Sequence, residues 1–387
     1  NDVRPVDRWG TIFQALSRRE GVFPSLEAEI RALASLAVLG FRASNHGTYL
    51  KGVCARLEEL TALTADPELR LATAIFLSFF HLFTGEWRRL RGLNEEVERT
   101  LDLTTLPPMH VITWQVGYCI ELGMSGNFAK AFELNAQAQS LAEASGVRIF
   151  DAYIAGHGVY PALNCGDLAL TERGIAKMRA AVNPARLLDV CHVEWLECAL
   201  AMARDDWLLA ERLAHSGLEK VLPSGAEIGI AQNRLSLAVT LIELGEGAAA
   251  EAEIERLLDY AAISGHNVFR YSGLMLKAYA HLKTGDMPAA RETLRIALAL
   301  GREDDYVVLV PYVPAKVLQT LCAAALQAGI EVAYVRSLIR RLKMASPDPA
   351  LDAWPWPVRI YTLGRFEVFR DDVLLKFSGK AQRKPME

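Results

Sequence analysis

Turn signals recur along this chain at intervals of about forty residues, and this period restricts the fold more than any other feature of the sequence. Each signal is a short polar stretch after an apolar helical segment, as in TGEW at 84, SGNF at 125 and TGDM at 284. One marker residue was taken from each signal, and the eight markers are Gly47, Gly85, Gly126, Gly166, Asp205, Gly245, Gly285 and Gly329. Their spacings of 38, 41, 40, 39, 40, 40 and 44 residues predict eight turns between helices.

Small residues also recur at fixed distances from these markers. The positions seven residues before them are Gly40, Ser78, Cys119, Val159, Cys198, Ala238, Ala278 and Cys322. Five residues after the marker, alanine stands in four repeats, at Ala131, Ala210, Ala250 and Ala290. Small side chains let antiparallel helices approach closely, so the two registers predict helical hairpins that pack through these positions.

The pattern resembles the tetratricopeptide repeat, most clearly in GNFAKAFELNAQAQSLAEASG and GDMPAARETLRIALAL. That repeat normally has 34 residues, so each unit here has about six residues more. At 1.5 Å per residue, these lengthen each of the two helices by about 4 to 5 Å. The predicted fold is all-α: a tetratricopeptide-like superhelix of about eight long repeats with a concave face, followed by a short C-terminal β-hairpin.

The composition favours a globular cytoplasmic protein over a membrane-spanning or exported one. The chain has 387 residues, of which 51% are hydrophobic and 23% charged, enough to bury a large core. The most apolar window, LATAIFLSFFHLF at 71 to 83, is shorter than the roughly 20 residues that span a bilayer. No C-x-x-C pair and no N-glycosylation triplet occurs. We therefore expect a cytoplasmic protein without a membrane partner.

Three of the six cysteines stand at the small packing position. Cys119, Cys198 and Cys322 occupy the register that glycine, serine and alanine fill in other repeats. We expect them to be buried and unpaired. Cys191 and His192 are sequence neighbours, and their side chains point about 100° apart on a helix, so we do not expect them to form one metal or catalytic site.

Enzyme motifs are absent or occur in the wrong context. GEGAAA at 245 fits a loose dinucleotide pattern but follows a helix, whereas that fingerprint requires a strand. SGKAQ at 378 lacks the other residues of a phosphate loop, and neither H-E-x-x-H nor G-x-S-x-G occurs. His81 and His281 each precede a marker by four residues and are expected to line helix packing. We expect a chain that is not an enzyme and holds no cofactor or metal.

The last thirty residues differ from the rest. SPDPALDAWPWPV carries four prolines within eleven residues, which predicts a stiff connector. RIYTLGRFEVFR and VLLKF then alternate partially and flank two aspartates, which predicts a hairpin with a bulge at Gly364. From residue 358 onward the net charge is +3, against -7 for the remainder.

This segment, WPWPVRIYTLGRFEVFRDDVLLKFSGKAQRKPME, resembles the start of the winged-helix domain of bacterial transcriptional activators of the antibiotic-regulatory-protein type. In large members of that family, a nucleoside-triphosphatase module precedes a tetratricopeptide-like region and the winged helix. The opening NDVRPVDRWGTIF and the segment CAAALQAGIEVAYVRSLIRRLKM also resemble such members. The resemblance implies that the chain is an internal part of a larger regulator, whose recognition helix would follow residue 387.

The resulting division is a solenoid over 1–345, a proline-rich linker over 346–357 and the truncated start of a winged helix over 358–387. The implied function is the signal-input region of a transcriptional regulator, which couples an effector or protein partner to flanking ATPase and DNA-binding modules. DNA would be bound only through the complete winged helix of the parent protein. The alternative is a general tetratricopeptide interaction scaffold that is not linked to transcription.

Candidate ligand-binding residues follow from the concave face. In tetratricopeptide repeats certain positions of the first helix line the groove, and we place these ten and thirteen residues before each marker, together with two tyrosines six residues before theirs. The larger or polar side chains there are Thr113, Tyr153, Tyr160, His192, Trp195, Gln232, Met275 and Tyr279. Aromatic, hydroxyl and amide groups suit a protein partner or a small neutral effector such as a sugar or peptide. The alternative is that these aromatics fill gaps between the long helices.

Overall fold

The computed structural model describes residues 23–42, 47–363 and 366–376, together with the isolated positions 12 and 15. Successive helices in this part of the chain pack as antiparallel pairs, and a small β-sheet follows the last helix. The helices are α1 Leu26–Arg42, α2 Gly47–Thr61, α3 Pro67–Thr84, α4 Trp87–Thr100, α5 Pro108–Met124, α6 Phe128–Ser145, α7 Asp151–His157, α8 Val159–Cys165, α9 Leu168–Ala181, α10 Leu187–Ala203, α11 Trp207–Val221, α12 Glu227–Leu244, α13 Gly247–Ser264, α14 Asn267–Thr284, α15 Met287–Asp304, α16 Ala315–Gln327 and α17 Val332–Arg341. The tetratricopeptide-like helical fold is as predicted.

The predicted turns are found at seven of the eight markers. All seven have a left-handed backbone, with φ of 84° at Gly85 and Gly245 and 59° at Asp205. Left-handed φ is favourable for glycine and reverses the chain at a helix end, so each marker separates the first helix of a repeat from the second. The first predicted turn precedes Gly47 and lies outside the described residues.

A second set of left-handed residues ends the second helix of several repeats. These residues are Gly146, Gly225, Gly265 and Asp305. Gly225, Gly265 and Asp305 are also spaced forty residues apart. The forty-residue period therefore applies to the turns between repeats as well as to the turns within them. The eight sequence markers predict only the turns between the two helices of one repeat, and they do not predict this second set.

The two registers of small residues meet in the helix interfaces. The alanines five residues after the markers are fully buried, and so are Cys119, Cys198 and Ala238 seven residues before them. The thiol of Cys119 donates to the carbonyl oxygen of Ala131 over 3.4 Å, and the thiol of Cys198 donates to that of Ala210 over 3.3 Å. All three cysteines of this register are free and buried, as predicted.

The superhelix closes on itself through an extended stretch between α15 and α16. This central segment, Tyr306–Val313, is buried along its whole length. The hydroxyl of Tyr306 donates to the carbonyl oxygen of Gly85 over 2.8 Å, and the amide of Val310 donates to the Ser272 hydroxyl over 3.0 Å. It thus joins the second repeat to the seventh. Its residues also account for the longer spacing of 44 between the last two markers.

Ion pairs reinforce the same closure. Asp305, at the end of α15, contacts Arg91 of α4 at 3.2 Å and Arg341 of α17 at 2.7 Å. Arg341 also donates to the carbonyl oxygen of Ser125 over 2.9 Å. The carboxylate of Asp305 therefore connects the second repeat to the seventh and eighth.

The C-terminal part forms a three-stranded antiparallel sheet in the order β1, β2, β3, with bounds Val358–Tyr361, Glu367–Arg370 and Val373–Leu374. Asp371 and Asp372 have φ of 49° and 66°, as expected for a two-residue hairpin turn. Strand within the described residues is confined to the part after 357, as predicted. The bulge predicted at Gly364 and the segment SGKAQRKPME lie outside the described residues.

Candidate functional site

Aromatic and imidazole side chains from three successive repeats converge on the first helices. We call this group the aromatic cluster, and it consists of Tyr153, His157, Tyr160, His192, Trp195 and Gln232. The hydroxyl of Tyr160 lies 2.8 Å from Nε2 of His192, and its ring stacks on that of Trp195 with centroids 5.4 Å apart. The ring of His157 also stacks on that of Tyr160, with centroids 5.4 Å apart, and meets Tyr153 edge to face at 4.1 Å. Five of the eight predicted site residues thus lie together.

A break in the first helix of the fourth repeat positions His157. Pro161 has no amide proton for the carbonyl group of His157, so the helix divides into α7 and α8 at Gly158. A Cβ at Gly158 would lie 2.6 Å from Oδ1 of Asn135, and one at Gly156 would lie 3.2 Å from Cε1 of His192. The two glycines on either side of His157 therefore permit the close approach of neighbouring side chains.

Hydrogen bonds connect the cluster to the next repeat. The indole of Trp195 donates to the hydroxyl of Ser236 over 2.9 Å, and that hydroxyl donates to the carbonyl oxygen of Gln232 over 3.2 Å. The side chain of Gln232 lies near Tyr160 and lowers the pKa of its hydroxyl, against the larger effect of burial. Ring orientations are thereby determined by α8, α10 and α12 together.

The cluster is uncharged at neutral pH. Burial lowers the pKa of His192 to about 4, and burial together with the neighbouring His192 holds the pKa of His157 well below its usual value. Burial raises the pKa of Tyr160 above its ordinary range. Nδ1 of His157 has no hydrogen-bond partner among the described residues. The cluster is largely buried, and it thus contains stacked ring faces, two neutral imidazoles and one imidazole nitrogen without a hydrogen-bond partner in the described part of the chain.

The remaining predicted site residues lie elsewhere. The Thr113 hydroxyl donates to the carbonyl oxygen of Met109 in its own helix over 2.7 Å. Met275 and Tyr279 are buried on α14, and the Tyr279 hydroxyl donates to Glu243 over 2.5 Å. Ser272, thirteen residues before its marker, binds the central segment. Other parts of the chain therefore cover the positions of α14 that would line the groove.

His157 was missed because it stands nine residues before its marker, a position that the register did not include. The signal that could have indicated it is the stretch AGHGVYP at 155 to 161, where two glycines and a proline interrupt a helix around a histidine. Such an interruption favours a special backbone geometry near that side chain.

Two further features of the structure are a cavity and a buried histidine. A cavity of about 700 Å³ lies between α2, α3 and α4, lined in part by Arg70, Arg89 and Glu96. Near it, His81 is buried with its ring nitrogens 3.1 Å from Glu58 and 3.0 Å from Glu86. No group of three or more histidine, cysteine, aspartate or glutamate side chains in the described part of the chain could hold a metal ion. Among the same residues, no helix is long and apolar enough to cross a bilayer.

Comparison with known proteins relates the chain to solved structures only. No protein-family profile matches the sequence, and no curated protein matches it. A Rap protein in complex with Competence and Sporulation Factor superposes with a TM-score of 0.56 at 14% identity, covering 82% of this chain and 88% of that one. The apo form of RapI gives 0.40 at 11% identity, with 81% and 86% covered. NprR in complex with its cognate peptide NprX gives 0.38 at 12%, with 82% and 76% covered. The first of these likenesses shows that the chain has the helical-repeat fold of a Rap protein.

Proposed function

We propose that this chain is the signal-input region of a bacterial regulator and that the aromatic cluster binds its effector. The observation that carries the proposal is the convergence of neutral hydrogen-bonding and ring groups from three repeats around the unpartnered Nδ1 of His157. A solenoid of this kind typically binds on its concave surface. The similar Rap protein was solved in complex with Competence and Sporulation Factor.

The chemistry of the cluster favours a neutral polar group. Two imidazoles with lowered pKa values carry no charge to attract an anion, and a cation would find no carboxylate among the cluster side chains. Stacked rings suit the faces of a sugar or an aromatic side chain, and the imidazole nitrogen suits a hydroxyl or amide group. The occupant we propose is a small neutral effector or an uncharged segment of a protein partner.

The wider role rests on the resemblance of the sequence to large transcriptional activators. On this proposal the chain has a binding role rather than a catalytic one, lies in the cytoplasm, and transmits ligand occupancy to flanking ATPase and DNA-binding modules. DNA contact belongs to the complete winged helix of the parent protein. The alternative proposal is a protein-interaction scaffold unconnected with transcription.

A thermal-shift screen of neutral sugars and short uncharged peptides tests the ligand assignment. A ligand at a hundred times its dissociation constant adds about 2.7 kcal/mol to the stability of the wild type. Tyr160→Phe removes the hydroxyl beside His192 and should weaken that shift. Tyr260→Phe is the matched control, because the Tyr260 hydroxyl lies 2.7 Å from Nδ1 of His266 in a buried pair outside the cluster.

The two variants separate a ligand effect from a general loss of stability. Both break a tyrosine–histidine hydrogen bond, so both should lower the unliganded melting temperature. Only Tyr160→Phe should also reduce the ligand-induced shift. Equal ligand shifts in the two variants, or no shift with any member of the screen, would contradict the assignment of the cluster as the effector site.

A further inference from the structure

Three arginines surround a single aspartate where the sheet meets the last repeat. Arg336 and Arg340 lie on α17 and Arg359 on β1, while Asp372 lies in the turn between β2 and β3. Asp372 forms ion pairs with Arg340 and Arg359, and its Oδ2 lies 3.6 Å from Arg336. We call this group the arginine joint. It carries three positive charges against one negative charge.

One carboxylate leaves the donors of the arginine joint incompletely satisfied. Asp372 pairs closely with Arg340 and Arg359, whereas its distance of 3.6 Å from Arg336 is too long for a hydrogen bond. The Nε atoms of Arg336 and Arg359 are buried and have no hydrogen-bond partner within the described part of the chain. Nη2 of Arg336 donates weakly to the carbonyl oxygen of Ala353 at 3.5 Å. Buried donors of this kind normally find an acceptor.

The neighbouring carboxylate of Asp371 does not compensate the excess. Asp371, the other turn residue, is largely exposed and lies 4.0 Å from Arg370. Burial and the nearby Arg359 and Arg340 lower the pKa of Arg336, as expected where like charges are crowded. The side chains of Arg336, Arg340 and Arg359 are 28%, 45% and 20% exposed, so a small ion in solvent can reach their guanidinium groups.

We propose that the arginine joint binds a phosphate group, and that the phosphate displaces Asp372 and loosens the attachment of the sheet to the last repeat. Phosphate carries up to twice the charge of a carboxylate and more acceptor oxygens, and the planar guanidinium group matches its geometry. Asp372 therefore acts as an internal substitute that holds the sheet while phosphate is absent. This inference does not depend on the aromatic cluster having a ligand.

The binding test is a calorimetric titration of the full chain with inorganic phosphate, with a nucleoside triphosphate in a second arm to distinguish free from esterified phosphate. Arg340→Gln and Arg359→Gln should each weaken binding about tenfold or more, the value of one charged hydrogen bond. Arg295→Gln is the control, because Arg295 forms an exposed ion pair with Glu292 far from the joint. Asp372→Asn should strengthen binding, because it removes the competing charge.

Hydrogen exchange in the sheet tests whether phosphate displaces Asp372 and loosens the attachment of the sheet to the last repeat. Saturating phosphate should speed amide exchange across residues 358–376 in the wild type and leave exchange in α12 unchanged. Asp372→Asn should show the fast exchange without phosphate. The half-exposed Arg340 is the safer variant, should Arg359→Gln fail to fold.

Four results would overturn the inference. The first is no saturable binding of either phosphate compound up to about 10 mM, well above a dissociation constant of about 1 mM. The second is binding that Arg340→Gln leaves unchanged. The third is binding without faster exchange in the sheet, which would refute displacement of Asp372. The fourth is binding of duplex DNA that phosphate does not compete, which would make the joint a nucleic-acid contact instead.

Discussion

Gly85 and Gly245 provide a matched pair that measures how strongly the superhelix is closed. Both are repeat markers, both end a first helix and both have φ of 84°. A Cβ at Gly245 would meet nothing within 4 Å, whereas a Cβ at Gly85 would lie 1.9 Å from the Tyr306 hydroxyl oxygen. Substitution by alanine therefore imposes the same backbone strain at both sites but obstructs the central segment only at Gly85.

The expected magnitudes follow from these contacts. Left-handed backbone costs an alanine about 1 to 2 kcal/mol, and Gly245→Ala should lose about this amount of stability. Gly85→Ala must in addition displace Tyr306, which leaves the buried carbonyl group of Gly85 without its donor at a cost of about 1 to 3 kcal/mol. Overpacking of the surrounding core adds about 1 to 3 kcal/mol. The two variants should thus differ by at least about 2 kcal/mol.

Urea unfolding followed by helical circular dichroism measures the difference. In the double variant Gly85→Ala with Tyr306→Phe, the nearest obstructing atom is removed, so the combined cost should be smaller than the sum of the single costs. Free energies of unfolding that agree within about 0.5 kcal/mol for Gly85→Ala and Gly245→Ala would mean that the contact between the second and seventh repeats contributes nothing to stability, and the described closure would be refuted.

Three further predictions concern the packing of Cys198, the dependence of stability on pH, and the ion pairs that reinforce the closure. Cys198→Phe should cost about 1 to 3 kcal/mol or more by overpacking, whereas Cys198→Ala should cost little, and the native thiol should react slowly with a labelling reagent. Because the pKa of His192 is about 4 when folded and near 6.5 when unfolded, the unfolded chain binds more protons between these values. Stability should fall as the pH drops from 6.5 to 4, and His192→Gln should flatten the slope by up to about 1.4 kcal/mol per pH unit in urea titrations at each pH. Asp305→Asn should weaken the half-exposed pairs with Arg91 and Arg341 and cost about 1 kcal/mol, and 1 M salt should reduce the difference from wild type.

Part of the candidate site was accessible from the sequence. The groove register predicted Tyr153, Tyr160, His192 and Trp195, and the structure brings them together because equivalent positions of stacked helices lie side by side. Met275 obeys the same register and yet is covered. The register describes how a repeat meets its neighbours, and it contains no information on what a distant segment places over the groove.

His157 shows a second limit of the repeat pattern. Its position depends on a break caused by Pro161 and on the absence of side chains at Gly156 and Gly158. These are departures from the regular helix in one repeat only. A period averaged over eight repeats cannot indicate them, although the local sequence AGHGVYP contains each of the residues responsible.

The sequence alone determined the repeat length, the turns and the helix interfaces. A left-handed marker and a small side chain act within one repeat or between adjacent repeats, so their consequences can be read locally. Only the tertiary structure decided that the superhelix closes. Closure depends on the rotation accumulated over several repeats, and it is expressed in contacts such as that of Tyr306 with Gly85, whose partners are 221 residues apart. The apolar run YVVLVPYV is compatible by itself with a strand, a linker or a buried segment, and its contacts with the second and seventh repeats, which only the folded chain brings together, select the last.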